Sequence, residues 1–353
     1  MPIKVMIVDD SAFMRRVLTQ MLESDPDICV VGTARDGEDA LARIERFAPD
    51  VLTLDLEMPK MDGLTFLSKV MTIRPTPILV VSSLAINGAE QTMRALEMGA
   101  VDFVTKPVAI PSEDMLDIRD ELLLKVKYTA RANLAGADSQ SRSRVVMPFI
   151  PKKTVKEHTI CCLAASTGGP KALQSIVSHL PIDFPAGILL VQHMPPGFTS
   201  SFAERLGERP GMPVREARDG DPILPGMVFL APSGQQTQVM GTPEALWLRV
   251  GSEPSSLFHP SADITFASIA ESCGSHAVGV ILTGMGQDGA RGLLTMRNTG
   301  AYTIAESAET CVINGMPRAA IELGAAEVVL PLWQIPEALR MIFVTDPSTD
   351  RNM

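Results

Sequence analysis

Residues 161–170 read CCLAASTGGP, and this stretch decides how the second half of the chain is organised. An apolar run reaches Ala165, a serine follows at position 166, and two glycines and a proline come soon after it. An apolar run that gives way to small residues and then to proline predicts a buried strand, a sharp turn and a helix. The turn is either a simple connection or a device that presents the Ser166 hydroxyl at the end of the strand.

The length and composition limit the classes of protein to consider. The chain has 353 residues, 46% of them hydrophobic, so two globular domains and a linker are expected. The net charge of −10 argues against nucleic-acid binding, which depends on neutralising phosphates. The apolar runs are too short to span a bilayer and the N-terminus is unlike a secretory signal. Five cysteines without a C-x-x-C pair indicate reduced thiols. We therefore expect a cytoplasmic protein without membrane insertion.

Both halves of the chain alternate Val/Ile/Leu-rich runs with amphipathic segments. This pattern predicts an α/β fold in which helices cover both faces of a parallel sheet. The first half, 1–128, has five such runs, and the second half, 157–348, has a mostly parallel pattern with a β-rich insert at 213–250. Between them, 129–156 has no sustained period and is rich in Ser, Gly, Ala and Pro with several basic residues, which is typical of a linker.

Polar side chains follow four of the predicted strands in the first half: Asp9, Asp10, Asp55, Ser82 and Lys106. Because the carboxyl ends of parallel strands meet at one edge, these side chains should lie close together. Three neighbouring carboxylates favour a hard cation such as Mg²⁺, and a carboxylate beside it can accept a phosphoryl group. A lysine and a serine hydroxyl can then bind the phosphate. Alternatively, each aspartate is only a turn residue.

Four motifs in this half resemble the receiver domain of bacterial two-component response regulators, over residues 1 to about 125. They are VDD, LDLEMPKMDG, VVSS and VTKP. The resemblance implies a flavodoxin-like, doubly wound sheet and a histidine kinase as phosphodonor. It also implies roles for six residues: Asp55 as phosphoacceptor, Asp9 and Asp10 with Asp55 as Mg²⁺ ligands, Ser82 and Lys106 as phosphate-sensing residues, and Phe103 as an aromatic switch.

The same strand-end argument applies to three polar residues of the second half. Ser166 and His193 end predicted strands, and Asp288 lies just past a third. A serine, a histidine and an aspartate at one sheet edge are the set used for acyl transfer. Their chain order differs from that of α/β-hydrolases, so a different scaffold is expected. Asp288 could instead cap the helix that follows it.

Backbone groups near Ser166 could stabilise an oxyanion. Gly168 would let a substrate approach the backbone closely, and the helix begun at Pro170 would direct its positive end at the oxyanion. The Met285 N–H, between two glycines, could complete the oxyanion hole. Metal-ligand spacings are not seen in this half, so no cofactor is expected in the esterase site.

Five motifs of the second half resemble the catalytic domain of the CheB family of chemotaxis protein-glutamate methylesterases: AASTGGP, QHMPPGFTSSFAERL, LAPSG, HPSADITFAS and TGMGQDGARGL. The resemblance implies a doubly wound esterase domain that hydrolyses γ-glutamyl methyl esters on chemoreceptor cytoplasmic domains and releases methanol. Deamidation of receptor glutamines is a second family activity that the sequence leaves open. The catalytic residues would be Ser166, His193 and Asp288, and the oxyanion or turn residues Thr167, Gly168 and Met285. Ala164 departs from the family's usual glycine.

Three functions follow from these patterns. The first is a phosphorylation-regulated serine esterase, in which the receiver restricts access to the Ser166 edge until Asp55 is phosphorylated. The second is a non-catalytic phospho-switch that binds receptors. The third is a transcriptional regulator, which would need a basic helix-turn-helix that the sequence does not show.

Overall fold

The computed structural model describes most of the chain: residues 1–83, 86–106, 114–134, 159–208 and 211–343. It divides the chain into two compact units, Met1–Leu134 and Ala135–Met353. Most of the predicted linker, 129–156, lies outside the described residues. The predicted domain limits therefore stay predictions.

The N-terminal unit contains a five-stranded parallel sheet in the order β2-β1-β3-β4-β5. Its strands are β1 (Ile3–Val8), β2 (Ile28–Ala34), β3 (Val51–Leu54), β4 (Ile78–Ser82) and β5 (Asp102–Thr105). Helices alternate with them: α1 (Ala12–Leu22), α2 (Gly37–Phe47), α3 (Gly63–Ile73), α4 (Ile86–Glu97) and α5 (Asp114–Thr129). The strands β3 and β4 are buried along their whole length, as expected for a sheet covered on both faces.

The C-terminal unit contains a seven-stranded parallel sheet in the order β14-β13-β12-β6-β7-β9-β8. Its strands are β6 (Ile160–Ala165), β7 (Gly187–Gln192), β8 (Val214–Glu216), β9 (Val228–Leu230), β12 (Ala277–Ile281), β13 (Tyr302–Glu306) and β14 (Val328–Leu330). An antiparallel hairpin of β10 (Gln236–Thr242) and β11 (Ala245–Gly251) forms a separate sheet. The predicted β-rich insert therefore contributes two strands to the main sheet and two to this hairpin.

Helices again alternate with the strands of the C-terminal unit: α6 (Gly169–Val177), α7 (Phe198–Gly207), α8 (Ala262–Cys273), α9 (Ala290–Asn298), α10 (Met316–Glu322) and α11 (Ile335–Phe343). The predicted α/β class is confirmed for both halves. Among the described residues, no helix combines the length and apolar character needed to cross a membrane.

Strand β6 lies near the middle of the second sheet and determines the position of the Ser166 turn. Its six residues are all buried, and it pairs with β12 on one side and β7 on the other. The register places Ala165 opposite Gln192, the last residues of β6 and β7. Ser166 and His193 each follow one of these two strands, so their backbones are neighbours at the carboxyl edge of the sheet.

Candidate functional sites

The Ser166 turn is held by backbone hydrogen bonds to the segment that follows β12 and to the start of α6. The Ser166 N–H donates to the Thr283 carbonyl at 3.0 Å, and the Gly169 N–H donates to the Ser166 carbonyl at 2.8 Å. Gly168 has a φ of +77°, a left-handed conformation that glycine adopts without strain. The sequence therefore changes from strand to helix within three residues because a glycine stands where the backbone must reverse.

A second glycine, Gly284, lies directly against Ser166. A Cβ atom added to Gly284 would meet the Ser166 Cβ at 2.8 Å and the Ser166 nitrogen at 3.0 Å. Only a residue without a side chain permits this approach. Met285 follows Gly284 in the chain and is half-buried. The segment predicted to complete an oxyanion hole thus runs beside Ser166.

His193 is fixed by its backbone, by Asp288 and by an aromatic ring. Its N–H donates to the Ala165 carbonyl at 3.1 Å, and its Nε2 lies 2.8 Å from Oδ2 of Asp288. The Phe258 ring stacks on the imidazole, with centroids 4.6 Å apart and planes 7° from parallel. Three contacts on different parts of the residue leave the imidazole little freedom to rotate.

Asp288 accepts hydrogen bonds from four donors. Besides His193, they are the Ser261 hydroxyl at 2.8 Å, the Ala262 N–H at 2.7 Å and the Asp263 N–H at 3.2 Å. Burial alone would raise the pKa of Asp288, but the His193 ring, the Ala262 N–H and the Ser261 hydroxyl together lower it below its usual range. The carboxylate is therefore ionised and acts only as an acceptor. Nε2 of His193 carries the proton, and Nδ1 is left to accept one.

The alternative that Asp288 caps the helix after it is wrong. Helix α9 begins after Gly289, and no side chain caps it. Asp288 instead binds the first turn of α8, which lies earlier in the chain. Its negative charge there is favoured by the helix dipole.

The structure adds positioning residues that the sequence analysis missed. The buried Gln192 donates through Nε2 to the carbonyls of both Ser166 and His193, at 2.9 and 3.0 Å. Gln236 donates to the Phe258 carbonyl at 2.7 Å and accepts from the Ser261 N–H at 2.9 Å. Gln192 could have been noticed as a polar residue at the end of an apolar strand. Gln236 and Phe258 act across long sequence separations that no local pattern reveals.

In the N-terminal unit, Asp9, Asp10 and Asp55 lie together at the carboxyl edge of the sheet. One oxygen of each lies within 4.8 Å of the others. The Lys106 Nζ is 2.7 Å from Oδ2 of Asp55 and 3.5 Å from Oδ2 of Asp9. Burial raises the pKa of both Asp9 and Asp55, with their mutual repulsion adding to the effect for Asp9, while Lys106 opposes it. The cluster is therefore electrostatically incomplete without further positive charge.

Ser82 ends β4, whereas Phe103 lies within β5, opposite Val80, and both have partners outside the carboxylate cluster. The Ser82 hydroxyl accepts from the Thr92 hydroxyl at 2.6 Å and donates to the Gly88 carbonyl at 3.2 Å, so it is bound to α4. The Phe103 side chain is buried, and the Lys125 Nζ lies 5.3 Å from its ring centroid. A phosphoryl group on Asp55 would have to compete with α4 for the Ser82 hydroxyl.

Comparison with known protein families assigns each half of the chain to a family. The profile of the CheB methylesterase family matches residues 161–339, and that of the response regulator receiver domain matches residues 5–116. The chain belongs to the CheB methylesterase family. The resemblance inferred from the motifs is thereby confirmed, including the receiver in front of the CheB catalytic domain.

Curated relatives match this chain over nearly its whole length. A protein-glutamate methylesterase/protein-glutamine glutaminase of Symbiobacterium thermophilum is 47% identical, with 96% of each chain covered. A protein of Pseudomonas aeruginosa with that name is 46% identical over the same share of each chain. The solved CheB methylesterase catalytic domain of Thermotoga maritima is 41% identical, with a TM-score of 0.50, and covers 52% of this chain and 98% of its own.

Proposed function

We propose that this CheB-family chain is a phosphorylation-regulated protein-glutamate methylesterase that uses Ser166, His193 and Asp288 as a catalytic triad. The observation that carries the proposal is the hydrogen bond between His193 and an ionised Asp288, next to the Ser166 turn. The substrate is the γ-methyl ester of a glutamate on a chemoreceptor. The proposal rests on the family assignment and on the names of the relatives.

The first half of the reaction forms an acyl-enzyme. The Ser166 oxygen attacks the ester carbonyl carbon while Nδ1 of His193 takes the hydroxyl proton, and Asp288 stabilises the imidazolium. The oxyanion is stabilised by backbone dipoles near Ser166, for which we propose the Met285 N–H and the start of α6 after Thr167 and Gly168. His193 then returns the proton to the departing oxygen. Methanol leaves, and the glutamyl carbonyl stays bonded to Ser166.

The second half restores the enzyme. His193 removes a proton from water, the hydroxide attacks the acyl carbon, and the bond to the Ser166 oxygen breaks as that oxygen takes the proton back. The product is the glutamate side chain. A glutamine enters by the same route with ammonia as the leaving group, and the second half of the relatives' name supports this second activity.

The receiver half would accept a phosphoryl group on Asp55. The oxygens of Asp9, Asp10 and Asp55 fit a hard divalent cation, since Oδ2 of Asp9 and Oδ2 of Asp55 are buried oxygens near a single ammonium group. Bound Mg²⁺ would neutralise these carboxylates and the oxygens of an incoming phosphoryl group. Lys106 exchanges its contact with Asp55 for a phosphoryl oxygen, and Ser82 binds another. A histidine kinase is the proposed donor.

The proposed partners indicate the cellular compartment in which the protein acts. Chemoreceptor cytoplasmic domains and the kinase that phosphorylates Asp55 are both in the cytoplasm, so we propose a cytoplasmic enzyme. The substrate ester must be presented on an exposed receptor helix. Ser166 follows β6 at the carboxyl edge of the sheet, the edge at which parallel sheets bind their ligands.

Methanol release from methylated receptor tests the esterase. We expect Ser166→Ala to lose at least about a thousandfold in turnover with the fold retained, because it removes the nucleophile. Ser178→Ala changes an exposed serine and serves as the matched control. Methanol release that is unaffected by Ser166→Ala would instead support the non-catalytic phospho-switch.

Regulation is tested separately with a small-molecule phosphodonor. Wild-type turnover should rise when phosphodonor and Mg²⁺ are both present. Asp55→Asn should keep the basal turnover and lose the increase, because the amide cannot form an acyl phosphate. An equal increase in Asp55→Asn would refute control through this residue.

A further inference from the structure

A buried carboxyl group lies behind the Ser166 turn and has no part in the proposed reaction. Glu306 is the last residue of β13, and its side chain is fully buried. Its Oε2 accepts a hydrogen bond from the Thr283 N–H at 2.8 Å. Its Oε1 is buried and makes no hydrogen bond within the described part of the chain. An acid buried with so few donors needs an explanation, because such burial is costly.

Thr283, the partner of Glu306, holds the turn that carries the nucleophile. Its carbonyl accepts from the Ser166 N–H at 3.0 Å, and its hydroxyl donates to the Thr167 carbonyl at 2.9 Å. The same hydroxyl accepts from the Ile313 N–H at 3.0 Å. One residue therefore binds Ser166 and Thr167 on one side and Glu306 on the other.

Three hydrogen-bond donors act on the Glu306 carboxyl group: the Thr283 N–H, the Thr310 hydroxyl and the Cys311 thiol. No balancing cation is among the described groups that act on it. Burial raises the pKa of Glu306 to about 7, against the smaller opposing effect of these donors. Burial and the nearby Glu306 also raise the pKa of Cys311, so the thiol stays neutral. Glu306 thus titrates near neutral pH, and its Oε2 can accept the Thr283 N–H in either protonation state.

We propose that Glu306 is a positioning residue of the esterase, which orients the Ser166–Thr167 turn by fixing the backbone of Thr283. This inference deepens the proposed function and rests on it. Glu306 touches neither substrate nor reacting atoms. Its effect passes through Thr283 alone, and it needs only a carboxyl or amide oxygen at the position of Oε2.

Kinetics of the full chain test the proposal. Glu306→Leu fills the space of the side chain but has no acceptor for the Thr283 N–H. We expect kcat for methanol release to fall about tenfold to a hundredfold and KM to change less than about twofold. The reason is that a small displacement of the Ser166 nucleophile affects the chemical step more than substrate binding. Glu306→Gln keeps the acceptor and should recover kcat to within about threefold of wild type. Glu309→Leu, the same change at an exposed site nearby, should have no effect. A folded Glu306→Leu with wild-type kcat overturns the proposal, as does a Glu306→Gln that is equally impaired.

A second readout does not depend on activity or on the folding of Glu306→Leu. The amide proton shift of Thr283 should titrate with Glu306 between about pH 6 and 8 in the wild-type chain, and should not do so in Glu306→Gln. An amide shift that is independent of pH in both proteins refutes the contact. If the wild-type chain releases no methanol, the proposed function fails, but the amide titration still decides whether Glu306 holds Thr283.

Discussion

The carboxylates of the two units have similar positions in their sheets but opposite electrostatic environments. Asp288 accepts four hydrogen bonds, and its pKa is lowered. Asp9 and Asp55 lie beside other acids, share one lysine, and have raised pKa values. The carboxylate of the first site is satisfied by its hydrogen-bond donors, whereas the carboxylates of the second share a single lysine. A position at the end of a strand places a carboxylate where ligands bind. The number of hydrogen-bond donors around it then determines whether the carboxylate is stably ionised or favours binding a cation.

After the loss of the Ser166 hydroxyl, the largest expected effect comes from removing the negative charge of Asp288. Asp288→Asn should lower methanol release about a thousandfold to ten-thousandfold, because its amide N–H₂ faces Nε2 of His193 and forces the proton onto Nδ1. The steady-state rate, with circular dichroism to verify the fold, checks this. Asp183→Asn, at an exposed site, is the matched control. A loss smaller than tenfold would show that Asp288 does not set the tautomer.

Glu306 extends the comparison, since it is buried like Asp288 but has fewer donors. Its pKa in the folded state is about 7, above the ordinary value of 4.5, so the folded protein keeps the proton longer than the unfolded one. Its contribution to stability should therefore fall as pH rises from 4.5 to 7. The shift corresponds to about 3 kcal/mol.

Urea unfolding at pH 5 and pH 8 measures this effect. The free energy of unfolding of wild type should fall between pH 5 and pH 8 by more than that of Glu306→Gln, because the amide never ionises. Both tryptophans, Trp247 and Trp333, lie in the C-terminal unit, so their fluorescence reports on that unit alone. An equal pH dependence in both proteins would mean that Glu306 ionises normally.

Gln192 allows a smaller change at the esterase site. Gln192→Glu replaces the N–H₂ group that binds the Ser166 and His193 carbonyls with an oxygen that repels them. We expect kcat to fall about tenfold to a hundredfold. Gln235→Glu makes the same change at an exposed position. Equal rates for the two variants would show that Gln192 does not position Ser166 or His193.

The smallest expected effect concerns the receiver carboxylates. Asp9→Asn removes one buried charge and keeps an acceptor for the Ser11 N–H. Without metal, it should stabilise the N-terminal unit by about 1 kcal/mol, and added Mg²⁺ should no longer stabilise that unit. Amide hydrogen exchange in peptides from residues 1–83, with EDTA or with Mg²⁺, measures both changes. A destabilised Asp9→Asn in EDTA would show that Lys106 already balances the cluster.

The sequence predicted the strands and which residues would follow them because these depend on local apolar runs. Ser166 and His193 were expected at strand ends on one edge of the sheet, and the structure makes those two strands, β6 and β7, direct neighbours. The donors to Asp288 were not predictable in the same way. Ser261 and Ala262 lie more than twenty residues before it, and they reach it only because α8 packs in this fold. The same applies to Glu306 and Thr283, since a buried acid in an apolar strand looks like any strand-end residue.

Asp288 accepts hydrogen bonds from the first-turn N–H groups of α8, so the carboxylate that orients His193 depends on a helix end, and helix ends open before helix interiors. Fraying of that turn frees the carboxylate to rotate away from the imidazole while the hydrophobic core stays packed. On slow warming, turnover should therefore decline before tryptophan emission shifts. The working temperature of this enzyme is then set by a few peptide groups at a helix end and not by the melting of the domain.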